Sequence, residues 1–307
     1  MTGNRKPLVV VGSINMDLVA RCARIPLPGQ TVTGTGFTTT PGGKGANQAV
    51  AAARLGYPVQ MVGAVGDDVF GQTLVDNLRG AGVETAAVGR LPGPSGVAPI
   101  LVADNGQNSI VVVAGANGKV DRNLVDAQAD LIRSAGMVLC QLELPMATVT
   151  HLLALCAEAG VPVMLDPAPA APLPGTAWSQ VAWFTPNETE SSYYLGEELT
   201  PEDGAKRLLA RGVAGVVLKR GGEGAYVAMA DGRADWVPAF PVTAVDTVAA
   251  GDCFNGAFAV ALLEGCDPWT AARFASAAAA ISVTRRGAQA SMPPRAEVDA
   301  FLSRQAL

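Results

Sequence analysis

One stretch near the C-terminus places an acidic residue beside several small ones at a helix start. Asp246-Thr247-Val248-Ala249-Ala250-Gly251-Asp252 leads from a loop into a long apolar segment. Small residues at 249–251 let another group approach the helix start, where free N–H groups and the helix dipole favour a phosphate. Asp252 could then accept a proton from an alcohol attacking that phosphate. First-turn acids are also common because they favour the dipole, and the stretch alone favours that structural interpretation.

A glycine-rich motif precedes the first predicted helix, at Pro41-Gly42-Gly43-Lys44-Gly45-Ala46-Asn47. Consecutive glycines let the backbone lie against a ligand, and Lys44 and Asn47 offer donors to sugar hydroxyls. The motif is not a Walker A loop, because Gly45 follows the lysine where Ser or Thr is required. A plain loop followed by a helix start explains the same residues equally well.

Polar residues also follow two predicted strands. Asn15 and Asp17 come after the first strand and alternate to one side of an extended chain, which suits recognition of a diol. Turn chemistry is the other interpretation and is the better supported from this segment alone. Glu143 ends a later strand, either as a ligand contact or as a solvated strand end.

Two further motifs suit a nucleotide. Asn187 and Glu190 have the spacing of a helix cap, and the same pair could order Mg²⁺-bound waters and phosphate oxygens. The turn Arg220-Gly221-Gly222-Glu223-Gly224 lies between predicted strands. It could be a simple hairpin or a loop that holds nucleotide phosphates.

Composition excludes several classes of function. The 307 residues carry a formal net charge of -5 with no basic cluster, which argues against nucleic acid and against an anionic membrane surface as partners. His151 is the single histidine, so a metal site with several histidines is impossible and catalysis falls on carboxylates, lysine, backbone amides or a bound ion. Five scattered cysteines without a CxxC pair and a short polar N-terminus favour a cytoplasmic protein.

Short β-branched runs alternate with longer Ala- and Leu-rich segments, which predicts a mostly parallel sheet covered by helices on both faces. The predicted strands are 8–12, 59–65, 137–142, 161–166, 181–185, 213–219 and 225–228, and the predicted helices are 45–55, 70–79, 146–159, 250–263 and 269–283.

Two segments interrupt this alternation and predict a small antiparallel sheet. Residues 18–40 have no helical period, and the runs 96–103 and 108–113 flank the turn signal Asp104-Asn105-Gly106. We expect one domain over 1–307, with a β lid formed by about 14–40 and 95–115. Such a lid would lie over the carboxyl ends of the main strands, where ligands bind in α/β sheets, and would exclude water.

The order of the motifs carries more information than any one of them. Gly42 to Asn47, Asn187 to Glu190 and Asp246 to Asp252 resemble the ribokinase branch of the PfkB carbohydrate kinase family, as do residues 12–17, 114–117 and 284–289. The resemblance covers essentially the whole chain. It implies a three-layer α/β/α fold with a β lid, ATP-dependent phosphorylation of D-ribose at its 5-hydroxyl, a requirement for Mg²⁺, activation by K⁺, and a homodimer formed through the lids.

The resemblance also assigns roles to individual residues. Asp252 would be the general base, and Gly251 with neighbouring amides would form the anion hole. The family's sugar contacts correspond to Asn15, Asp17, Gly43, Lys44, Asn47, Ala98, Ile100, Ile110, Glu143 and Asp252. Its ATP contacts correspond to Asn187, Lys219, Arg220, Gly221, Gly222, Glu223, Gly224, Gly251 and Ser276. Its potassium site corresponds to Asp246, Val248, Ser282, Arg285, Gly287 and Ser291, partly through backbone carbonyls, and Glu190 would act on Mg²⁺ indirectly.

Three positions depart from the family pattern without removing a catalytic group. Cys253 and Lys219 stand where threonine is common, and Ser276 stands where histidine is often found. Two alternative functions remain. One is phosphorylation of 2-deoxyribose or another sugar, and the other is a sugar-binding protein without catalysis, against which the intact Asp252 and Asn187 argue.

Overall fold

The computed structural model describes residues 5–305. Its strands are β1 (Leu8–Val11), β2 (Asn15–Cys22), β3 (Gly34–Gly42), β4 (Val59–Gly66), β5 (Val88–Leu91), β6 (Gly96–Ala103), β7 (Asn108–Ile110), β8 (Met137–Gln141), β9 (Val163–Asp166), β10 (Trp183–Phe184), β11 (Gly215–Lys219), β12 (Gly224–Met229) and β13 (Ala234–Pro238). Its α-helices are α1 (Lys44–Arg54), α2 (Val69–Gly80), α3 (Arg122–Ala127), α4 (Ala129–Ser134), α5 (Met146–Ala159), α6 (Glu188–Leu195), α7 (Pro201–Leu209), α8 (Ala250–Leu263), α9 (Pro268–Val283) and α10 (Arg295–Arg304).

Nine of these strands form the main sheet, in the order β13-β12-β11-β10-β9-β8-β1-β4-β5 within the described range. Neighbours from β11 to β5 pair in parallel, whereas β12 pairs antiparallel with both β11 and β13. Strand β1 is a continuous apolar run, as expected for a parallel strand buried on both faces. Its carboxyl end points to the same edge of the sheet as those of β8 and β9.

Helices cover both faces of this sheet. Leu8 and Val10 pack into one hydrophobic cluster with α1, α8 and α9, whereas Val9 and Val11 pack into a second cluster with α5 and α7. This alternation is the period of two that a strand imposes on its side chains. The arrangement is the three-layer α/β/α architecture that the sequence predicts.

A second, smaller sheet has the order β3-β2-β6-β7. We call it the lid sheet. Strands β2 and β6 pair in parallel, while β2–β3 and β6–β7 are antiparallel. The predicted hairpin around Gly106 is present, but β7 ends at Ile110, and beyond it Val113 keeps only an isolated bridge to Val97.

Element boundaries agree best where the sequence pattern is strongest. The bounds of α5, α8 and β6 are those predicted, whereas the predicted strand 181–185 is reduced to Trp183–Phe184. Strands β5 and β13 and helices α3, α4, α7 and α10 were not predicted, although α7 has a Thr200 N-cap, a proline at its first position and acidic residues in its first turn. All five cysteines are free. No helix within residues 5–305 combines the length and the apolarity that crossing a bilayer would need.

Candidate active site

Helix α8 begins in an unusual backbone conformation. Its N-cap, Ala249, has φ 58° and ψ 16°, and it is the one non-glycine residue with positive φ among residues 5–305. Among the first backbone amides of α8, the Ala250 amide donates to the Thr247 carbonyl oxygen, and the Cys253 amide donates to the Ala249 carbonyl oxygen. The N–H groups of Gly251 and Asp252 have no acceptor in the described chain and are available to an anion.

Asp252 lies buried in this first turn, and each of its carboxylate oxygens accepts an amide hydrogen bond. Asn47 Nδ2 donates to Oδ2 over 2.9 Å, and Gln48 Nε2 donates to Oδ1 over 3.1 Å. Burial raises the pKa of Asp252 to about 6, with Lys44 lowering it and Asp166 raising it further. A carboxyl group with such a pKa is largely ionised near pH 7 and can accept a proton from a hydroxyl.

A second buried carboxylate, Asp166, was not among the predicted site residues. It ends β9, accepts from Gln48 Nε2 over 2.9 Å, and forms an ion pair of 3.1 Å with Lys219. The two side chains are 4% and 13% exposed, respectively. Its place at the carboxyl end of a parallel strand was the available signal, since such ends line ligand sites.

The lid sheet presents four of the predicted sugar contacts on one face. Register places Asn15, Asp17, Ala98 and Ile100 on the same side of β2 and β6. Asn117 Nδ2 donates to Asn15 Oδ1 over 2.6 Å, so a residue outside the lid sheet fixes this side chain. Ile110 pairs with Ile100 in β7 but is half exposed.

The carboxyl group of Asp17, in the lid sheet, has a raised pKa. Burial and the neighbouring charges of Glu143 and Asp252 raise its pKa to about 7. Gly42 leaves the space that this carboxylate occupies, because a Cβ at residue 42 would lie 2.4 Å from Asp17 Oδ2. Because the charge of Asp252 affects the pKa of Asp17, the two carboxylates lie close to each other across the gap between the lid sheet and the main sheet.

The start of α1 closes the remaining side of this gap. Lys44 N donates to Glu143 Oε2 over 3.2 Å, and Ser13 Oγ also donates to that oxygen. Burial opposes the charge of Lys44, yet the carboxylates of Asp252 and its neighbours raise the pKa of Lys44 above its usual value. Gly43, at the N-cap, has φ 88°, and a Cβ there would lie 2.7 Å from the Asn15 amide nitrogen. Glycine is therefore required where α1 meets β2.

A cavity of about 330 Å³ lies on the other side of the α8 start. Among the predicted nucleotide residues it is lined by Lys219, Gly221, Gly222, Gly224, Gly251 and Ser276. Apart from Thr247, its remaining walls are apolar and belong to the loop after β13 and to α8 and α9. They include Phe240, Pro241, Val242, Phe254, Ala279, Ala280 and Val283. Sequence reasoning missed these walls, since no motif marks them.

Other predicted nucleotide residues lie outside this cavity. Arg220 forms ion pairs of 3.4 Å with Glu188 and Glu223. Asn187 and Glu190 form a complete capping box at the start of α6, in which Glu190 Oε2 accepts from the Asn187 amide over 2.8 Å. Burial and the charge of Asp166 raise the pKa of Glu190, which places it near the Asp166–Lys219 pair.

Comparison with known proteins identifies the family. The model of the pfkB family of carbohydrate kinases matches residues 5–295. The chain belongs to this family. A ribokinase from Bacillus subtilis is 44% identical over 297 residues, covering 96% of this chain and 99% of the relative. A deoxyribokinase from Salmonella typhi is 36% identical, with 96% and 98% covered. A structure of Arabidopsis thaliana ribokinase complexed with ribose and ATP has 36% identity and a TM-score of 0.91, with 97% and 98% covered.

These relatives confirm the resemblance, the fold and the expectation of an enzyme. The chain is a carbohydrate kinase whose strongest similarities include ribokinases. The geometry brings Asn15, Asp17, Lys44, Asn47, Glu143 and Asp252 into one polar region, with the glycine loop and Ser276 across the α8 start. The individual roles assigned to these residues stay predictions.

The predicted potassium residues of this kinase surround the loop before α8. Asp246 Oδ1 accepts from the Val248 amide over 3.0 Å, and Oδ2 accepts from the Gly287 amide over 2.9 Å. Ser282 Oγ and Ser291 Oγ are 2.7 Å apart, whereas the Arg285 side chain pairs with Glu297. Among residues 5–305, no three or more His, Cys, Asp or Glu side chains are grouped to hold a metal. The oxygens that the predicted potassium residues offer are backbone carbonyls, the hydroxyls of Ser282 and Ser291, and the Asp246 carboxylate.

Proposed function

We propose that this kinase transfers the γ-phosphoryl group of ATP to the 5-hydroxyl of D-ribose, giving ribose 5-phosphate. One observation carries the proposal. Asp252, a buried carboxylate with its pKa raised to about 6, lies between a polar region under the lid sheet and a cavity lined by Gly251. A base in that place can accept the hydroxyl proton, while the free N–H groups of Gly251 and Asp252 stabilise the transferring phosphoryl group.

The sugar would lie between the lid sheet and the start of α1. Asp17 and Asn15 offer acceptors for adjacent hydroxyls, and Asn47 Nδ2, already bonded to Asp252, has a second N–H for a sugar oxygen. Ala98, Ile100 and Ile110 would contact the apolar side of the ring and limit the entry of water. We further propose that residues 14–40 and 95–115 act as the lid, closing over the bound sugar.

ATP would place its base in the apolar part of the cavity and its phosphates towards the α8 start. Lys219 lines the cavity and lies within 3.4 Å of a Cβ added at Gly251, which puts its ammonium group beside the proposed anion hole. The Asp166 carboxylate lies close enough to Glu190 to raise the pKa of Glu190. Such oxygen ligands suit Mg²⁺ and its waters. Bound Mg²⁺ would neutralise charge on the phosphates.

We also propose that K⁺ binds beside the loop of Asp246 and Val248. The donor set there is made of oxygens, as K⁺ requires, and the same loop leads into the strained Ala249. The Gly287 amide donates to Asp246 and so joins this loop to Gly287, while the Val248 amide donates to Asp246 within the loop. The cation would hold the backbone that presents the anion hole. Replacing K⁺ by Na⁺ should depress turnover, and equal rates would contradict the assignment.

A homodimer formed through the lid sheets is proposed from exposed apolar side chains. Phe37 and Ile110 to Val113 are large and at least 47% exposed. Exposed apolar patches and sheet edges are commonly covered by a second chain. Sedimentation velocity should give a dimer that Val111→Glu converts to monomer, and a monomeric wild-type protein would overturn this assignment.

The function itself is tested by a substrate comparison. The purified protein, ATP and Mg²⁺ are incubated with D-ribose, 2-deoxyribose, fructose or adenosine, and the phosphorylated product is identified by mass spectrometry. We expect ribose to have the highest kcat/KM. Preference for 2-deoxyribose would instead favour deoxyribokinase activity, to which one of the relatives is assigned. Binding of ribose without turnover would indicate a sugar-binding protein.

A further inference from the structure

Gln48 bridges two buried carboxylates with a single amide group. Its Nε2 donates to Asp252 Oδ1 over 3.1 Å and to Asp166 Oδ2 over 2.9 Å. All three side chains are buried, and Gln48 is only 1% exposed. Each N–H of this amide thus serves one of two carboxylates whose charges would otherwise repel at close range.

The orientation of the Gln48 amide is fixed by a second glutamine. Gln141, at the end of β8, donates from Nε2 to Gln48 Oε1 over 2.7 Å and is fully buried. An ionised carboxylate only accepts hydrogen bonds, so the Gln48 nitrogen must face Asp252 and Asp166 while its oxygen faces Gln141. Gly12 leaves space for this arrangement, since a Cβ there would collide with Gln141 Oε1.

The other oxygen of Asp252 is held by a separate chain of amides. Asn47 Nδ2 donates to Oδ2 over 2.9 Å, and Asn47 Oδ1 accepts from Gln289 Nε2 over 3.0 Å. With one N–H on each oxygen, the carboxylate plane of Asp252 is fixed. A carboxylate has about four lone-pair sites, so positions remain for a substrate hydroxyl.

We propose that Gln48, oriented by Gln141, is a positioning residue that keeps Asp252 ionised and correctly directed beside Asp166. This inference rests on the proposed role of Asp252 as the general base. In this proposal Gln48 touches neither the sugar nor the nucleotide and acts only through Asp252.

The charges around Asp252 determine what removing Gln48 would do. Burial raises the pKa of Asp252, Lys44 lowers it, Asp166 raises it, and the Asn47 and Gln48 hydrogen bonds lower it. Asp17 faces Asp252 from the lid sheet, and the Cys253 thiol beside it stays neutral because burial raises its pKa to about 12. Without Gln48, one stabilising bond is lost and Asp166 is no longer shielded, so the pKa of Asp252 must rise.

The test compares glutamine-to-methionine variants of similar size. Gln48→Met should move the acidic limb of the kcat/KM pH profile upward by about one to two units, the equivalent of one charged hydrogen bond. The sugar KM at pH 8.5 should stay unchanged, and most of the lost rate should return there. Gln141→Met should give a smaller shift in the same direction. Gln72→Met, at an exposed glutamine of α2, serves as the control and should give none.

The proposal would be overturned if the acidic limb of the kcat/KM pH profile stayed in place in an active Gln48→Met enzyme. An equal loss of kcat at every pH would overturn it as well. A ¹³C-carboxyl NMR titration gives a second readout that needs no turnover, with the Asp252 signal assigned by its absence in Asp252→Asn. That signal should titrate at higher pH in Gln48→Met, and an unchanged titration refutes the inference. Should Gln48→Met fail to fold, Gln48→Glu adds a third carboxylate and should shift the titration further. A wild-type protein inactive on every sugar would refute the proposed function alone.

Discussion

Replacing Lys219 by methionine leaves the buried Asp166 without its cationic partner. The pair is 3.1 Å apart, and its side chains are only 13% and 4% exposed. Removing one member of a buried ion pair typically costs about 3–5 kcal/mol, because the remaining charge is uncompensated. Gln48 still donates to Asp166, so we expect a loss near the lower end, about 3 kcal/mol.

The assay is urea unfolding followed by circular dichroism at pH 7, where such a loss lowers the midpoint by about 1 M or more. Arg207→Met is the matched control, since it breaks an ion pair of 2.7 Å with Glu197 whose side chains are 53% and 56% exposed. Exposed pairs contribute about 0–1 kcal/mol. The double variant with Asp166→Asn should recover much of the stability, because no unpaired charge remains.

Equal losses in the Lys219 and Arg207 variants would show that burial gives the Lys219–Asp166 pair no special importance for stability. So would a double variant no more stable than Lys219→Met alone. The same Lys219→Met protein should show a raised KM for ATP, since Lys219 lines the cavity proposed for the nucleotide.

Three further predictions concern the sugar side and the start of α8. Gly42→Ala places a Cβ 2.4 Å from Asp17 Oδ2 and should lower kcat/KM for the sugar by about tenfold or more, whereas Gly36→Ala, with nothing within 4 Å, should be neutral in the same kinetic assay. The folded pKa of Asp17 is raised from 3.8 to about 7, so the folded state binds an extra proton and stability should fall as pH rises through that window. Urea unfolding at pH 5 and pH 8 measures this slope, and Asp17→Asn should flatten it. Ala249→Val forces a β-branched residue into φ 58° and should cost about 1–2 kcal/mol with a large loss of turnover, while Ala249→Gly should remain active. Full activity of Ala249→Val would contradict the importance of this backbone conformation.

Much of the sheet could be predicted because local sequence determines it. The run Leu8–Val11 is apolar on both faces, as is typical of a parallel strand covered by helices, and the turn at Gly106 adopts the positive φ that glycine allows. The strand Trp183–Phe184 is shorter than predicted. The residues on either side make only single backbone hydrogen bonds to neighbouring strands and do not continue the ladder of strand pairing. Such termination depends on neighbouring strands, which local pattern does not contain.

The site was predictable where motifs mark it and not where distant residues meet. Asp252 and Gly251 lie in a recognisable stretch, but Asp166 acquires its role from Lys219, 53 positions away. Gln48 and Gln141 are 93 positions apart, and nothing near either residue indicates that their amides meet. The apolar wall at Phe240 comes from a loop with no motif. The parts of the site that depend on contacts between distant residues could therefore be recognised only from the fold.

The proposed activity depends on Asp252 as the base for phosphoryl transfer to a bound sugar. Asp252→Asn keeps the size of the side chain and removes its ability to accept a proton, so it separates catalysis from binding. Turnover of D-ribose with ATP and Mg²⁺ is measured beside the ribose Kd from calorimetry. We expect kcat to fall by about 10²–10⁴ while the Kd stays within about threefold. An Asp252→Asn protein that phosphorylates ribose at the wild-type rate would show that Asp252 is not the base.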